Sequence, residues 1–349
     1  MDKQQLQNKI RGSITGGAIG DALGYPIEFV YSFNDICARY GKEGITEFDM
    51  SYPWLESEEK KALFSDDTQM TLYTAEGLLE AERNGKPIAP TVCNAYLAWY
   101  AHQAGRKVKI SYQSKLSEIE ELNQNRAPGN TCLSALAAIH AGKEPQNASK
   151  GCGGIMRVAP VGLYGAAHDW SPADTARLAG ELAELTHLHP LSTYSSATLA
   201  VIVQLCASSE DAVDKEMFKG IVDKSLKIVS DVYGADAAAM DEFRKIVGNA
   251  MSLEDDPQSD WQIIEDRIGE GWVAEETLAI ALFSTLRHVD DFSGCLISAV
   301  NHGGDSDSTG AVAGNIIGAI LGDDAIPGKF KKEIQLRDLL LHAADDLAK

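Results

Sequence analysis

Two short acidic clusters lie far apart in the chain, at Ser65-Asp66-Asp67-Thr68 and at Asp305-Ser306-Asp307-Ser308-Thr309. Each sets carboxylates beside hydroxyls, and each opens a run of residues typical of a helix. Carboxylates crowded in this way repel one another unless a cation lies between them, and oxygen ligands suit hard divalent ions such as Mg²⁺, Mn²⁺ or Ca²⁺. Neither the HxxxH nor the CxxC spacing typical of zinc sites occurs. A two-metal hydrolytic centre is therefore our leading hypothesis.

The first cluster also has a purely structural interpretation. Ser65 fits the N-cap of a helix, and acids in the first helical turn are favoured by the helix dipole. On spacing alone both interpretations stay open.

The clusters must be positioned by helices, because helical patterns dominate the chain. Residue Ser65 is a typical N-cap and Gly85 a typical helix stop before Pro87, so that a helix is predicted between them. Only residues 44–48 weakly resemble a strand. We predict an all-α fold, a compact multi-helix bundle forming a single domain over residues 1–349. The predicted helices cover residues 66–84, 91–103, 131–141, 172–188, 192–207, 214–232, 235–251 and 275–289.

Two of the helices carry glycine at every fourth position. The first has Gly16, Gly20 and Gly24, and the second has Gly310, Gly314, Gly318 and Gly322. Each interior glycine costs ~1 kcal/mol relative to alanine, and this spacing aligns the glycines on one helix face. We therefore expect another backbone to approach each face closely, which would hold the second acidic cluster rigidly.

Composition narrows the class of partner. The chain has 51 acidic and 31 basic residues, a net charge of −20, which disfavours a nucleic-acid partner. The first residues contain no apolar signal-peptide core, and no apolar stretch approaches the ~20 residues of a membrane span. The six cysteines are scattered and are expected to be free. We expect a cytoplasmic protein with no membrane partner.

Six segments of the chain together resemble the ADP-ribosylglycohydrolase family, which includes the dinitrogenase-reductase-activating glycohydrolases and the crystallin-J1-like proteins. They occur in the same order as in the family and span roughly residues 12 to 322. The resemblance implies an all-α bundle around a dinuclear Mg²⁺ site. The segments are Gly16-Gly17-Ala18-Ile19-Gly20-Asp21-Ala22-Leu23-Gly24 with Glu28, Ser65-Asp66-Asp67-Thr68, Ser149-Lys150-Gly151-Cys152-Gly153-Gly154-Ile155-Met156-Arg157, Thr186-His187-Leu188-His189-Pro190, Gly269-Glu270-Gly271-Trp272 and Gly303-Gly304-Asp305-Ser306-Asp307-Ser308.

The resemblance also implies a role for particular residues. The cofactor would be two Mg²⁺ ions, with Mn²⁺ as the alternative. ADP-ribose would lie against a histidine and against residues 151–154, which we call the glycine loop. This chain has Cys152 where some members of the family have asparagine. By position, the metal ligands would be Ser65, Asp66, Asp67, Asp305, Asp307 and Ser308, and the substrate-binding residues Ser149, Gly151, Cys152, Gly153 and His187.

Further candidates remain around this set. One of His187 and His189 is expected to contact the ligand, and the other to cap a helix or to form a hydrogen bond in the core. Arg157 fits either a phosphate contact or a structural ion pair. Stacking on adenine is open to three aromatic side chains, although large aromatics in helical proteins usually lie in the core. These are Trp272, Trp99 and Tyr100.

The general acid or base should be a carboxylate outside the ligand set. Glu28 is the main candidate, because matching members of the family have glutamate there, and Asp21 is the second. Asp67 is counted as catalytic as well as a ligand. An aspartate from the middle of the chain, used by other members of the family, has no counterpart, since residues 68–168 contain no aspartate.

The function implied is metal-dependent removal of ADP-ribose from modified protein side chains, most simply arginine, which reverses mono-ADP-ribosylation. Two alternatives stay open. One is hydrolysis of serine-linked ADP-ribose or O-acetyl-ADP-ribose. The other is a binding role, either as an immunity protein that occludes an ADP-ribosyltransferase toxin or as a crystallin-like structural protein.

Overall fold

A computed structural model of the protein describes residues 2–51, 60–103, 110 and 112–349. These residues form sixteen α-helices and contain no β-strand, so the all-α prediction is confirmed. The weak strand prediction at 44–48 is wrong, since these residues form irregular backbone. The α-helices are α1 (Lys3–Gly24), α2 (Phe33–Tyr40), α3 (Asp66–Asn84), α4 (Ile88–Gln103), α5 (Asn130–His140), α6 (Ala159–Ala167), α7 (Pro172–Glu184), α8 (Pro190–Ala207), α9 (Lys215–Tyr233), α10 (Ala237–Met251), α11 (Asp260–Ile263), α12 (Ala274–Arg287), α13 (Phe292–Val300), α14 (Ser306–Leu321), α15 (Gly328–Glu333) and α16 (Arg337–Leu347).

Capping residues account for the helix ends that were predicted best. The hydroxyl of Ser65 accepts a hydrogen bond from the Asp67 amide, and Gly85 adopts the left-handed conformation that ends α3. In contrast, α7 ends at Glu184, four residues before the predicted end at Leu188. The residues beyond it turn toward the start of α8, which the His189 side chain caps.

The glycine faces of α1 and α14 pack directly against each other, which confirms that a backbone closely approaches each face. A Cβ added to Gly16, Gly20 or Gly12 would overlap the backbone carbonyl of Gly314, Gly310 or Gly318, respectively. The two backbones are therefore in contact from Gly12 to Gly24 of α1. Because α14 begins directly after Asp305, this contact fixes the position of the second acidic cluster.

Replacing Gly314 by alanine is expected to destabilise the protein. The new methyl group would overlap the Gly16 carbonyl, and overpacking of this kind costs about 1–3 kcal/mol or more. Urea unfolding measures the change. The matched control is Gly220→Ala in α9, where an added Cβ would meet no atom of the described part of the chain within 4 Å. This variant should gain roughly 0.5–1 kcal/mol from helix propensity. Equal stability of Gly314→Ala and wild type would contradict close backbone packing.

The central helix of the bundle is α8. It has the length and mean hydropathy of a membrane span, so our expectation that no stretch approaches this length is wrong for this helix. However, 89% of the helix is buried inside the described part of the fold, where it packs against α6, α7, α9, α12 and α14. Burial on all sides accounts for its apolar composition.

Candidate functional site

The N-terminal ends of α3 and α14 open into one cavity of about 510 Å³, within the usual size range of small-molecule sites. Both acidic clusters therefore meet in a single pocket. Helix N-termini carry a partial positive charge, which favours the carboxylates in their first turns. The pocket is lined by Glu28, Phe29, Asp66, Asp67, Asn125, Ala127, Pro128, Gly129, Asn130, Thr131, Cys132, Gly151, Cys152, Gly153, Met156, His187, Trp272, Asp305, Asp307 and Ser308.

Hydrogen bonds join the two clusters across the pocket. The Ser308 hydroxyl, on α14, donates to Asp67 Oδ2 on α3 at 2.8 Å. Ser65 lies just behind the pocket lining, where its hydroxyl contacts both the Asp67 amide and the Asp307 carboxylate. All six predicted metal ligands thus lie at one place in the fold.

Asp21, in α1, supports this arrangement by accepting hydrogen bonds from residues at the start of α3. Its Oδ1 accepts the Ser65 amide at 2.7 Å, and its Oδ2 accepts both the amide and the hydroxyl of Thr68. Both carboxylate oxygens are therefore engaged in holding the first turn of α3. Asp21 does not line the pocket, so this geometry favours an orienting role over proton transfer.

The third carboxylate near α14 comes from the turn after α1. Glu28, Asp305 and Asp307 each offer an oxygen, and these oxygens all lie within 4.8 Å of one another. The single 3₁₀ turn Tyr25–Ile27 carries Glu28 from the end of α1 into the pocket. Sequence reasoning had kept Glu28 apart from the ligand set, whereas this geometry suits either a ligand or an acid–base group.

The carboxylates of the pocket are buried close to one another. Burial first, and the neighbouring carboxylates next, raise the pKa of Glu28, Asp66, Asp67 and Asp305 above their ordinary values. Two buried oxygens, Glu28 Oε2 and Asp305 Oδ2, accept no hydrogen bond from the described residues. Orphaned oxygens among clustered carboxylates fit a hard divalent cation. The donor set therefore suits Mg²⁺ or Mn²⁺.

The glycine loop forms another part of the cavity wall. Gly151, Cys152 and Gly153 line it, but the Cys152 amide already donates to the Trp272 carbonyl at 3.2 Å. The Gly151 amide lies 3.3 Å from the Ser149 hydroxyl, which is itself outside the pocket lining. The amides of Gly151 and Cys152 therefore already have hydrogen-bond partners within the protein.

The two histidines after α7 have different positions. His187 is buried and lines the pocket, while His189 caps α8 by accepting the Leu191 amide at Nδ1. The cap on α8 confirms one half of the prediction for this pair, whereas a ligand contact by His187 stays a prediction that its place in the pocket allows. Asn147 joins the glycine loop to this turn, since it contacts Ser149, Thr186 and Leu188.

Of the four aromatic and cationic candidates, one lines the pocket and three are buried in the core. Trp272 lines the pocket and stacks on Phe29, with ring centroids 6.1 Å apart. Trp99 and Tyr100 are buried in the core, where the Trp99 indole donates to Gln69, so they are not available for adenine. Arg157 is fully buried and does not line the cavity, so the phosphate contact considered for it is not supported.

Sequence reasoning missed the segment 125–132, which forms much of the pocket rim. Gly129 donates its amide to Asp66 Oδ2 at 3.4 Å, and the Asp66 amide donates to the Arg126 carbonyl. Ala127 has a left-handed backbone conformation, with φ of 55°, which is uncommon for a residue other than glycine. The available signal was the Pro128-Gly129 turn directly before a predicted helix.

Comparison with known proteins places this geometry in context. The model of the ADP-ribosylglycohydrolase family matches residues 2–349. The ADP-ribosyl-[dinitrogen reductase] glycohydrolase of Rhodospirillum rubrum is 26% identical over 97% of this chain and 94% of its own. The ADP-ribosylarginine hydrolase Tri1 of Pseudomonas putida is 22% identical over 99% of this chain and 79% of its own. A solved structure described as an ADP-ribosylglycohydrolase-related protein complex is 25% identical, with a TM-score of 0.68 over 99% of this chain and 98% of that chain.

Proposed function

The chain belongs to the ADP-ribosylglycohydrolase family, and from this premise we propose that it hydrolyses ADP-ribose from modified protein side chains, arginine foremost, with two divalent ions as cofactor. The observation that supports the metal dependence is the cluster of Glu28, Asp305 and Asp307 oxygens within 4.8 Å. The preference for arginine rests on the relative named as an ADP-ribosylarginine hydrolase. We place the protein in the cytoplasm on its sequence alone.

The residues of the pocket suit the cleavage of a glycosyl bond. The C1″ carbon of the ribose passes through an oxocarbenium-like state, which needs proton transfer at the leaving group and at the attacking water. Bound divalent ions would orient the ribose hydroxyls and lower the pKa of a water. In our proposal Glu28 supplies the proton transfer, because it is a buried carboxylate that lines the pocket and one of its oxygens accepts no hydrogen bond from the described residues. Ser65, Asp66, Asp67, Asp305, Asp307 and Ser308 hold the two ions.

Exposed apolar side chains near the pocket favour a protein as the carrier of the ADP-ribose. Among the described residues, the large hydrophobic side chains most exposed to solvent are Phe29 at 57%, Tyr31 at 75% and Leu188 at 40%. Phe29 lines the pocket, Tyr31 follows it closely in the chain, and Leu188 is adjacent to His187. Exposed apolar groups of this kind are typical of contact surfaces.

Release of ADP-ribose from three substrates tests the proposal. We expect arginine-linked ADP-ribose to be cleaved fastest with Mg²⁺ or Mn²⁺, and serine-linked and O-acetyl-linked substrates more slowly. No substrate should be cleaved in EDTA.

Tyr31→Ser should lower kcat/KM for a modified protein but not for free ADP-ribosylarginine, which serves as the internal control. Turnover indifferent to EDTA would contradict the metal dependence. A stable complex with an ADP-ribosyltransferase toxin and no turnover would favour the binding alternative.

A further inference from the structure

Arg157 holds a positive charge in the core without an ion pair in the part of the chain that the structure describes. Its guanidinium is fully buried and lies 4.4 Å from the centroid of the Tyr96 ring. One of its N–H groups donates to the Leu182 carbonyl, in the last turn of α7, at 3.1 Å. An unpaired buried cation is costly, so its remaining contacts need an explanation.

Those contacts lead directly to the pocket. Arg157 Nη2 donates to the Thr186 hydroxyl at 2.6 Å, and the same hydroxyl lies 2.8 Å from His187 Nδ1. A hydroxyl that accepts a hydrogen bond from a cation becomes a stronger donor. Its own proton can go to the imidazole nitrogen or to the nearby Cys132 sulfur, and sulfur is a weak acceptor. This difference between the two acceptors favours donation from the Thr186 hydroxyl to Nδ1.

We propose that Arg157 and Thr186 are positioning residues that hold His187 as the neutral Nε2–H tautomer, which presents a fixed donor to a phosphate or ribose oxygen of ADP-ribose. This inference rests on the proposed function for the identity of the ligand. If Nδ1 accepts a hydrogen bond from the Thr186 hydroxyl, the single proton of the neutral ring must lie on Nε2, the other ring nitrogen.

The position of Nε2 agrees with this role. This atom faces the glycine loop, since a Cβ added to Gly151 or Gly153 would lie 3.4 or 3.2 Å from it. Burial, with Arg157 as the second cause, lowers the pKa of His187 to about 3, so that the ring is neutral at physiological pH. A neutral donor binds an anionic ligand without forming an ion pair with the pocket carboxylates.

Long-range ¹H–¹⁵N spectra of the histidine rings test the tautomer in the metal-loaded protein. The His187 signals are identified by their loss in His187→Gln. We expect a protonated Nε2 and an unprotonated Nδ1 in wild type. Thr186→Val, which keeps the shape but removes the hydroxyl, should give a mixture of tautomers and raise the Kd for ADP-ribose about tenfold by calorimetry. Thr186→Ser should restore both properties.

Two controls separate positioning from packing. Thr175→Val makes the same change at a buried threonine whose hydroxyl has no hydrogen-bond partner among the described residues, and should alter neither the spectrum nor the Kd. If Thr186→Val does not fold, the ring itself can be replaced. His187→Gln keeps an amide N–H near the Nε2 position and should bind within a few-fold of wild type, whereas His187→Asn should lose about tenfold.

The outcomes that overturn the proposal are specific. The positioning role of Arg157 and Thr186 would be contradicted by a wild-type spectrum with the proton on Nδ1. It would also be contradicted if Thr186→Val left both the tautomer and the Kd unchanged. Equal binding by His187→Gln and His187→Asn would contradict the Nε2 donor. If wild type binds no ADP-ribose, the proposed function and the ligand assigned to His187 both fail, while the tautomer is still decided by the spectrum alone.

Discussion

Asp305→Asn is expected to abolish divalent-ion binding and to lower activity by more than about 10³-fold, because a bound ion contributes several kcal/mol of charge stabilisation. The helix should survive, since Asp305 is the N-cap of α14 and asparagine caps equally well. Asp67→Asn, in the other cluster, should have the same effect. Calorimetry with Mg²⁺ after EDTA treatment, together with circular dichroism, measures both parts of the prediction.

The same substitution should stabilise the metal-free protein. The folded-state pKa of Asp305 is raised by burial and by Asp307, so its ionised form is disfavoured in the fold. Metal-free wild type therefore loses stability as the pH rises from the unfolded-state pKa through the folded-state value, and the asparagine variant escapes that loss. Urea unfolding in EDTA at several pH values should show an advantage of Asp305→Asn that grows with pH.

A control and a contrary result complete this test. Asp174→Asn changes an exposed carboxylate in the first turn of α7, outside the pocket, and should leave Mg²⁺ binding unchanged. Unaltered Mg²⁺ binding in both Asp305→Asn and Asp67→Asn would show that the acidic clusters do not form the metal centre.

Glu28→Gln is expected to lower kcat by about 10²–10⁴-fold, the usual contribution of a general acid or base. Glutamine keeps the shape and a carbonyl oxygen but cannot exchange a proton. We expect the Kd values for Mg²⁺ and for ADP-ribose to change only a few-fold. Steady-state kinetics on ADP-ribosylarginine and calorimetry with each ligand measure the two effects separately.

Other results would assign Glu28 a different role. A large loss of Mg²⁺ affinity would make it a metal ligand, which its position beside Asp305 and Asp307 also allows. Loss of ADP-ribose binding alone would make it a substrate-binding residue. A near-normal kcat would exclude it from proton transfer. Asp21 is a poor substitute, because Ser65 and Thr68 occupy both of its oxygens.

The sequence predicted those features that depend on neighbours along the chain. The Ser65 cap and the Gly85 stop predicted the ends of α3 without error, because capping is a local interaction. The glycine spacing of α1 and α14 predicted faces open to a backbone. The family resemblance, carried by motifs in order, predicted the ADP-ribosylglycohydrolase family that the comparisons confirm.

Contacts between distant segments were decided only by the tertiary structure. The sequence did not show that the glycine faces of α1 and α14 meet each other, and it is this contact that sets Glu28 beside Asp305 and Asp307. Nor did it separate Trp272 in the pocket from Trp99 in the core, since the burial of a tryptophan depends on which distant segments pack around it. The Thr186 hydroxyl links Arg157 to His187, and it lies in the turn that follows α7. Local patterns specify helices and their ends, whereas a site built from many segments depends on how the helices pack.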